Sequence, residues 1–290
     1  MTTILVPTSG TATDMSVFAT AFVLAQPLRA HMDFYHVRLT PCEAAVRAPH
    51  VSFCIGGAVS DALNYLEHRD KTLEKDAMAH FMDFCDTHPV LVQDRPTGDT
   101  GVSVQWIEET NDAEKRFLFR ARHSDLVILG RPTHTDLMPV NLIETLLTHS
   151  GRPIVLAPRT ARQDPIRTVV VGWKETAECA RALTAAMPIL ARAERVMLFS
   201  VEEACSSTAD IQAIHDLARQ LAWSGVAAEA RMLPSESIPT AKRLTQAALE
   251  ADADLLVVGG FGHSAMREHV FGGATRDLLD DCRLPVFLTH

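Results

Sequence analysis

Several features that would commit the chain to a membrane, a metal or a nucleic acid are missing from its sequence. The six cysteines (42, 54, 85, 179, 205 and 282) are scattered. None forms a Cys-x-x-Cys pair or stands beside closely spaced histidines, which argues against a disulfide framework and a zinc site and for buried thiols in a reducing compartment. No apolar run approaches the roughly 20 residues of a membrane span. No basic leader precedes Thr3-Ile4-Leu5-Val6, so a cytoplasmic protein with no membrane partner is expected. The net charge of −9 is spread over both halves, with no basic face and no acidic tail, which disfavours a nucleic-acid partner. There is no His-Glu-x-x-His, no Gly-x-Ser-x-Gly elbow and no positioned general base, so no catalytic or metal-binding residue is assigned.

What is present is a repeat. With 290 residues, 47% of them hydrophobic, the chain is long enough for two well-filled domains. Apolar strand-like runs alternate with helical periodicities: Thr2–Pro7, Met15–Leu28, Met32–Arg38, Asp61–Phe84, Val102–Ile107, Glu114–His123, Leu126–Gly130, Leu142–Leu147 and Ile154–Ala157. This alternation predicts a parallel sheet covered on both faces. Pro158 to Ile166, with two prolines and no periodicity, reads as a linker. The order then starts again with Thr168–Gly172, Ala177–Ala193, Val196–Val201, Asp210–Trp223, Val226–Leu233, Ile238–Glu250, Leu255–Val258, a helix over Thr275–Cys282 and Pro285–Thr289. Anchors match across the halves. Thr3-Ile4-Leu5-Val6 pairs with Thr168-Val169-Val170-Val171, and Asp125-Leu126-Val127 with Asp254-Leu255-Leu256. The expected organisation is therefore a tandem duplication: domain 1–158, linker 159–166 and domain 167–290. The first half carries a longer insert, over 41–101.

The halves differ at one stretch, Leu255 to Thr275. A buried-type strand runs into Gly259, Gly260 and Gly262, and after a polar segment Gly272 and Gly273 open a helix. Strand, glycine loop and helix start can aim backbone N–H groups at a phosphate. The same spacing also suits a tight turn with no ligand. It is not a P-loop, since no Lys-Ser/Thr pair follows the glycines. Nor is it the dinucleotide fingerprint, whose third glycine would fall on Ala265. In the first half only Gly130 matches, opposite Gly259. Thr133, Val140, Asn141 and Ile143 stand opposite Gly262, Gly272, Gly273 and Thr275.

Gly259-x-x-Gly262, nine residues and Gly272 resemble the nucleotide loop of the universal stress protein family. The Leu284-Pro285-Val286 strand start and Gly172-Trp173 before an Ala-rich helix are similar too. The resemblance spans the chain as two modules. It implies an α/β fold of two tandem Rossmann-like domains, each a five-stranded parallel sheet of order 3-2-1-4-5 with helices on both faces. It further implies ATP, with magnesium, bound by the second domain as a stress-response or signalling module rather than an enzyme. Carried over, Gly259, Gly262, Gly272, Gly273 and Ala274 would supply backbone contacts, and Thr275 a hydroxyl. Val201 would meet the adenine through its backbone, and Gly172 and Lys174 would border the site. Gly273 stands where the family motif has a small hydroxyl residue, and Lys174 where an acidic residue often stands. The resemblance also implies pairing of the two domains, for which Ile154–Ala157 beside Val286–Thr289 is the expected contact, or a homodimer. A nucleotide-free module that binds an unidentified protein partner, and a slow ATP hydrolase, are the alternative functions.

Overall fold

The computed structural model describes residues 2–38, 57–97, 101–110, 112–131, 141–161, 163–202, 208–235, 238–260 and 282–290. The chain divides into two compact units, Met1–Arg152 and Pro153–His290. In chain order the first contains β1 (Thr3–Pro7), α1 (Thr13–Leu28), β2 (His31–Arg38), α2 (Gly57–Thr87), β3 (Val90–Val92), β4 (Val102–Thr110), α3 (Ala113–His123), β5 (Leu126–Leu129) and α4 (Leu142–His149). The second contains β6 (Ile154–Leu156), β7 (Thr168–Gly172), α5 (Ala177–Leu190), β8 (Arg195–Val201), α6 (Thr208–Ala222), β9 (Ala228–Leu233), α7 (Thr240–Glu250), β10 (Leu255–Gly259) and β11 (Val286–Thr289).

In the second unit the parallel strands run β9-β8-β7-β10-β11, the expected 3-2-1-4-5. β6 joins β11 antiparallel, with Leu156 opposite Val286, Val155 opposite Phe287 and Ile154 opposite Leu288. In the first unit β4-β2-β1-β5 reproduces 3-2-1-4. The sequence pattern did not announce β3, which adds to β4 in parallel at the sheet edge. Val90-Leu91-Val92 is three residues long and partly exposed, so it lacks the long apolar run of a doubly covered strand.

The strands form because β-branched and aliphatic runs bury both of their faces between helices. Ile4, Leu5, Val127, Val169, Val170, Leu255, Leu256 and Val257 are fully buried. The duplication extends to hydrogen bonds. Oδ2 of Asp125 accepts the N–H groups of Thr2 (2.6 Å) and Thr3 (3.2 Å). Oδ2 of Asp254 accepts those of Arg167 and Thr168, both at 2.8 Å. Each carboxylate thus ties the start of the strand that flanks its unit's first strand (β5, β10) to the start of that first strand (β1, β7). On one face of the first sheet, Phe34 packs against Phe18 of α1 (4.7 Å between centroids) and Phe81 of α2 (5.0 Å). That cluster fixes the long α2 over the sheet. Cys179 and Cys282 are buried and Cys85 half-buried, all as free thiols. Among the described residues no helix is long and apolar enough to cross a membrane.

Candidate functional site

In a doubly wound sheet the crevice for a ligand opens where neighbouring strands send their connections to opposite sides. In the second unit that point lies between β7, which continues to β8, and β10, which continues to β11. Three segments reach it: the turn after β7 (Trp173 to Thr176), the end of β8 at Val201, and the end of β10 at Gly259 and Gly260.

The ladder fixes the direction of Val201. The Phe199 carbonyl accepts the Trp173 N–H (2.7 Å), whereas Glu202 donates to the Leu233 carbonyl (2.9 Å). In a parallel ladder, successive residues address alternate neighbours. Val201, two residues after Phe199, therefore turns its N–H and C=O toward β7. β7 has ended there, at Gly172, so both groups face the space beyond its last residue.

The turn after β7 is tight, with Thr176 donating its N–H to the Lys174 carbonyl (2.7 Å). Lys174 is exposed and Trp173 half-buried. Thr176 caps α5 by accepting the Cys179 N–H (3.4 Å). Glu178, in the first turn of α5, is held below the usual carboxylate range, chiefly by its own backbone N–H and also by Arg181. Its charge already complements the positive end of the α5 dipole.

Two of the glycines have packing reasons. A Cβ on Gly259 would collide with the backbone of α5, at the Cys179 N and 2.6 Å from the Glu178 carbonyl carbon. A Cβ on Gly172 would come within 3.0 Å of Leu244 and Val258. Gly130, the counterpart of Gly259, sits likewise against α1, where a Cβ would meet the Thr13 methyl. The N–H of Gly260 is engaged by the Thr289 carbonyl (2.7 Å). The structure thus brings Gly172, Lys174, Val201 and Gly259 to one end of the sheet. Gly262, Gly272, Gly273, Ala274 and Thr275 lie outside the described residues.

The equivalent turn in the first unit is filled from within. Thr8 repeats the Trp173 bond, donating to the Tyr35 carbonyl (2.9 Å). Asp14, 1% exposed, then accepts from the N–H of Ser9 (2.9 Å), the hydroxyl of Ser9 (2.8 Å) and the N–H of Gly10 (2.8 Å). His80 of α2 reaches the same carboxylate at 3.1 Å. Gly10, at φ 73°, lies against the Leu73 carbonyl of α2, where a side chain has neither the conformation nor the room. The His36 ring Nδ1–H donates to the Thr8 carbonyl (3.0 Å). Ile143, the counterpart of Thr275, is buried in the first turn of α4. Reading the sequence alone missed Asp14. Its signal is an acidic residue five positions after a serine in a short turn, matched by Cys179 in the second unit.

No protein-family model matches the chain, and no curated protein does. Solved structures match over its whole length. A universal stress protein from Archaeoglobus fulgidus DSM 4304 superposes with a TM-score of 0.65 at 12% identity, over 99% of this chain and 97% of that one. A functionally unknown protein from Pseudomonas aeruginosa PAO1 gives 0.56 at 15% identity, over 99% and 92%. A universal stress protein solved in complex with cAMP matches 43% of this chain and 97% of its own, at 23% identity and a TM-score of 0.34. The chain has the universal stress protein fold, and it has it twice.

Proposed function

We propose that the second unit binds an adenine nucleotide, ATP with its magnesium ion, at the ends of β7, β8 and β10. Nucleotide occupancy then biases the chain between two states in a stress response. The observation that carries this reading is the asymmetry of the two turns. In the first unit Asp14 occupies the amides of the turn and α2 lies against it. In the second unit the matching residue is Cys179, which offers no carboxylate, and the backbone of Val201 faces outward. A base edge suits paired N–H and C=O groups of that kind, and the glycine run from Gly259 to Thr275 suits phosphates. Lys174, beside them, suits an anion as a point charge. A nucleotide-free interaction module is the competing reading, and the packing reasons for Gly172 and Gly259 favour it.

The test is thermal unfolding of the full chain with ATP, ADP and adenosine. Under the proposal ATP raises the Tm progressively, by about 2.7 kcal/mol of added stability at one hundred times its Kd. Gly272→Val abolishes the shift, because a branched side chain there blocks the phosphates. Unmoved melting curves with all three ligands, and no nucleotide in the mass spectrum of the purified protein, overturn it. Phosphate release that Gly272→Val removes would make the protein a slow hydrolase instead.

A further inference from the structure

Among the described residues the outer edge of β9 is unpaired, and it presents a self-complementary strand. Among the described strands β9 pairs only with β8, from Val196 opposite Ala228 to Val201 opposite Leu233. The Leu233 carbonyl accepts the Glu202 N–H (2.9 Å), so Leu233, and by alternation Arg231 and Glu229, address β8. The N–H and C=O groups of Ala228, Ala230 and Met232 then point away from the sheet. The side chains of Glu229 and Arg231 are exposed on one face of the strand, where Glu229 accepts from Arg195 of β8 (3.2 and 3.1 Å) and meets Arg231 at 3.4 Å.

We propose that a second copy of this chain docks on this edge, β9 to β9 and antiparallel, about a two-fold axis through Ala230. A two-fold at a residue whose backbone points outward gives a hydrogen-bonded pair, Ala230 with Ala230 of the second copy. Ala228 then bonds Met232 on either side. In that register Glu229 of each copy stands directly opposite Arg231 of the other, in the non-hydrogen-bonded position where side chains approach most closely. A shift of two residues in either direction breaks both charge pairs. The same axis sets the two α6 helices, which pack on β9, side by side on one face of the joined sheet. There Ile211 (42% exposed) and Trp223 (87% exposed) supply apolar surface. Tryptophan is a typical interface anchor. The proposal is independent of any nucleotide.

Sedimentation of the full chain over a concentration series tests it. The wild type forms a dimer that dissociates on dilution and weakens with salt. Glu229→Arg sets Arg against Arg, and Arg231→Glu sets Glu against Glu. Each weakens the dimer roughly tenfold or more. Mixing the two variants restores a heterodimer, because one copy then carries two positive side chains at these positions and the other two negative ones, so both pairings across the axis join opposite charges. That rescue excludes misfolding as the cause of dissociation. Ala230→Pro, which removes only an outward N–H, also gives a monomer. A wild type that stays monomeric to about 100 μM, variants that dimerise as the wild type does, or a mixture that fails to recover would each overturn the proposal.

Discussion

Asp14 shows how one substitution separates two copies of a fold. It is buried and satisfies two backbone N–H groups and a hydroxyl, so its removal strands donors in a dry turn. Asp14→Ala should destabilise the chain by about 2–4 kcal/mol in urea unfolding, since each buried donor left unpaired costs about 1–3 kcal/mol. Its partner makes part of that stability depend on pH. The hydrogen bond to Asp14 is the main cause that lifts His80 above its ordinary 6.5, against the desolvation that lowers it, with Asp76 and Asp83 adding smaller pushes in the same direction. A group whose folded pKa is raised stabilises fully below its unfolded value, and that contribution fades as pH rises through the folded one. His80→Gln should therefore cost most below about pH 6.5 and progressively less above it. Unfolding curves of both proteins from pH 5 to 9 read this directly. A constant difference across that range would mean that His80 acts by packing alone.

At the scale of elements, the backbone of α5 lies directly against the end of β10 at Gly259. Gly259→Ala forces a methyl into the backbone of Glu178 and Cys179, and backbone cannot rotate away. The expected loss is about 1–3 kcal/mol, measured on nucleotide-free protein. Gly130→Ala meets the side chains of Thr13 and Val17 (3.1 Å), which can shift where backbone cannot, and should cost less. This contrast bears on what the sequence could disclose. The alternation of Thr168–Gly172, Ala177–Ala193 and Val196–Val201 was legible because doubly buried parallel strands are continuous apolar runs and their helices are periodic. Ala177–Ala193 ends in the structure at Leu190, and Val226–Leu233 begins at Ala228 after Gly225, which sits at φ 77°. Pattern shows where an element exists, whereas capping and turn geometry decide where it stops. β3 was illegible because three residues on an edge carry no periodicity. The glycine at 259 was legible as a constraint but not as to its cause. A missing Cβ serves a helix and a phosphate equally well, and only the position of α5 supplies the packing reason.

At the scale of the whole molecule, the open question is where one unit ends. Composition sets the break in Pro158 to Ile166, and the described residues of that stretch form neither helix nor strand. The contact pattern sets the break earlier, between Arg152 and Pro153, because Ile154, Val155 and Leu156 extend the sheet of the second unit along β11. The two boundaries predict different behaviour. A fragment beginning at Arg167 leaves β11 as a bare edge whose outward amides and carbonyls have lost their partners. Such an edge invites pairing with another chain. A fragment beginning at Pro153 keeps β6 on that edge. The longer fragment should be more stable in urea unfolding by at least about 2 kcal/mol, given three aliphatic side chains returned to the sheet. It should also stay monodisperse, or at most dimeric through β9, where the shorter one aggregates. Equal stability and equal solubility of the two fragments would put the boundary in the proline-rich stretch and make β6 an accessory of the second sheet.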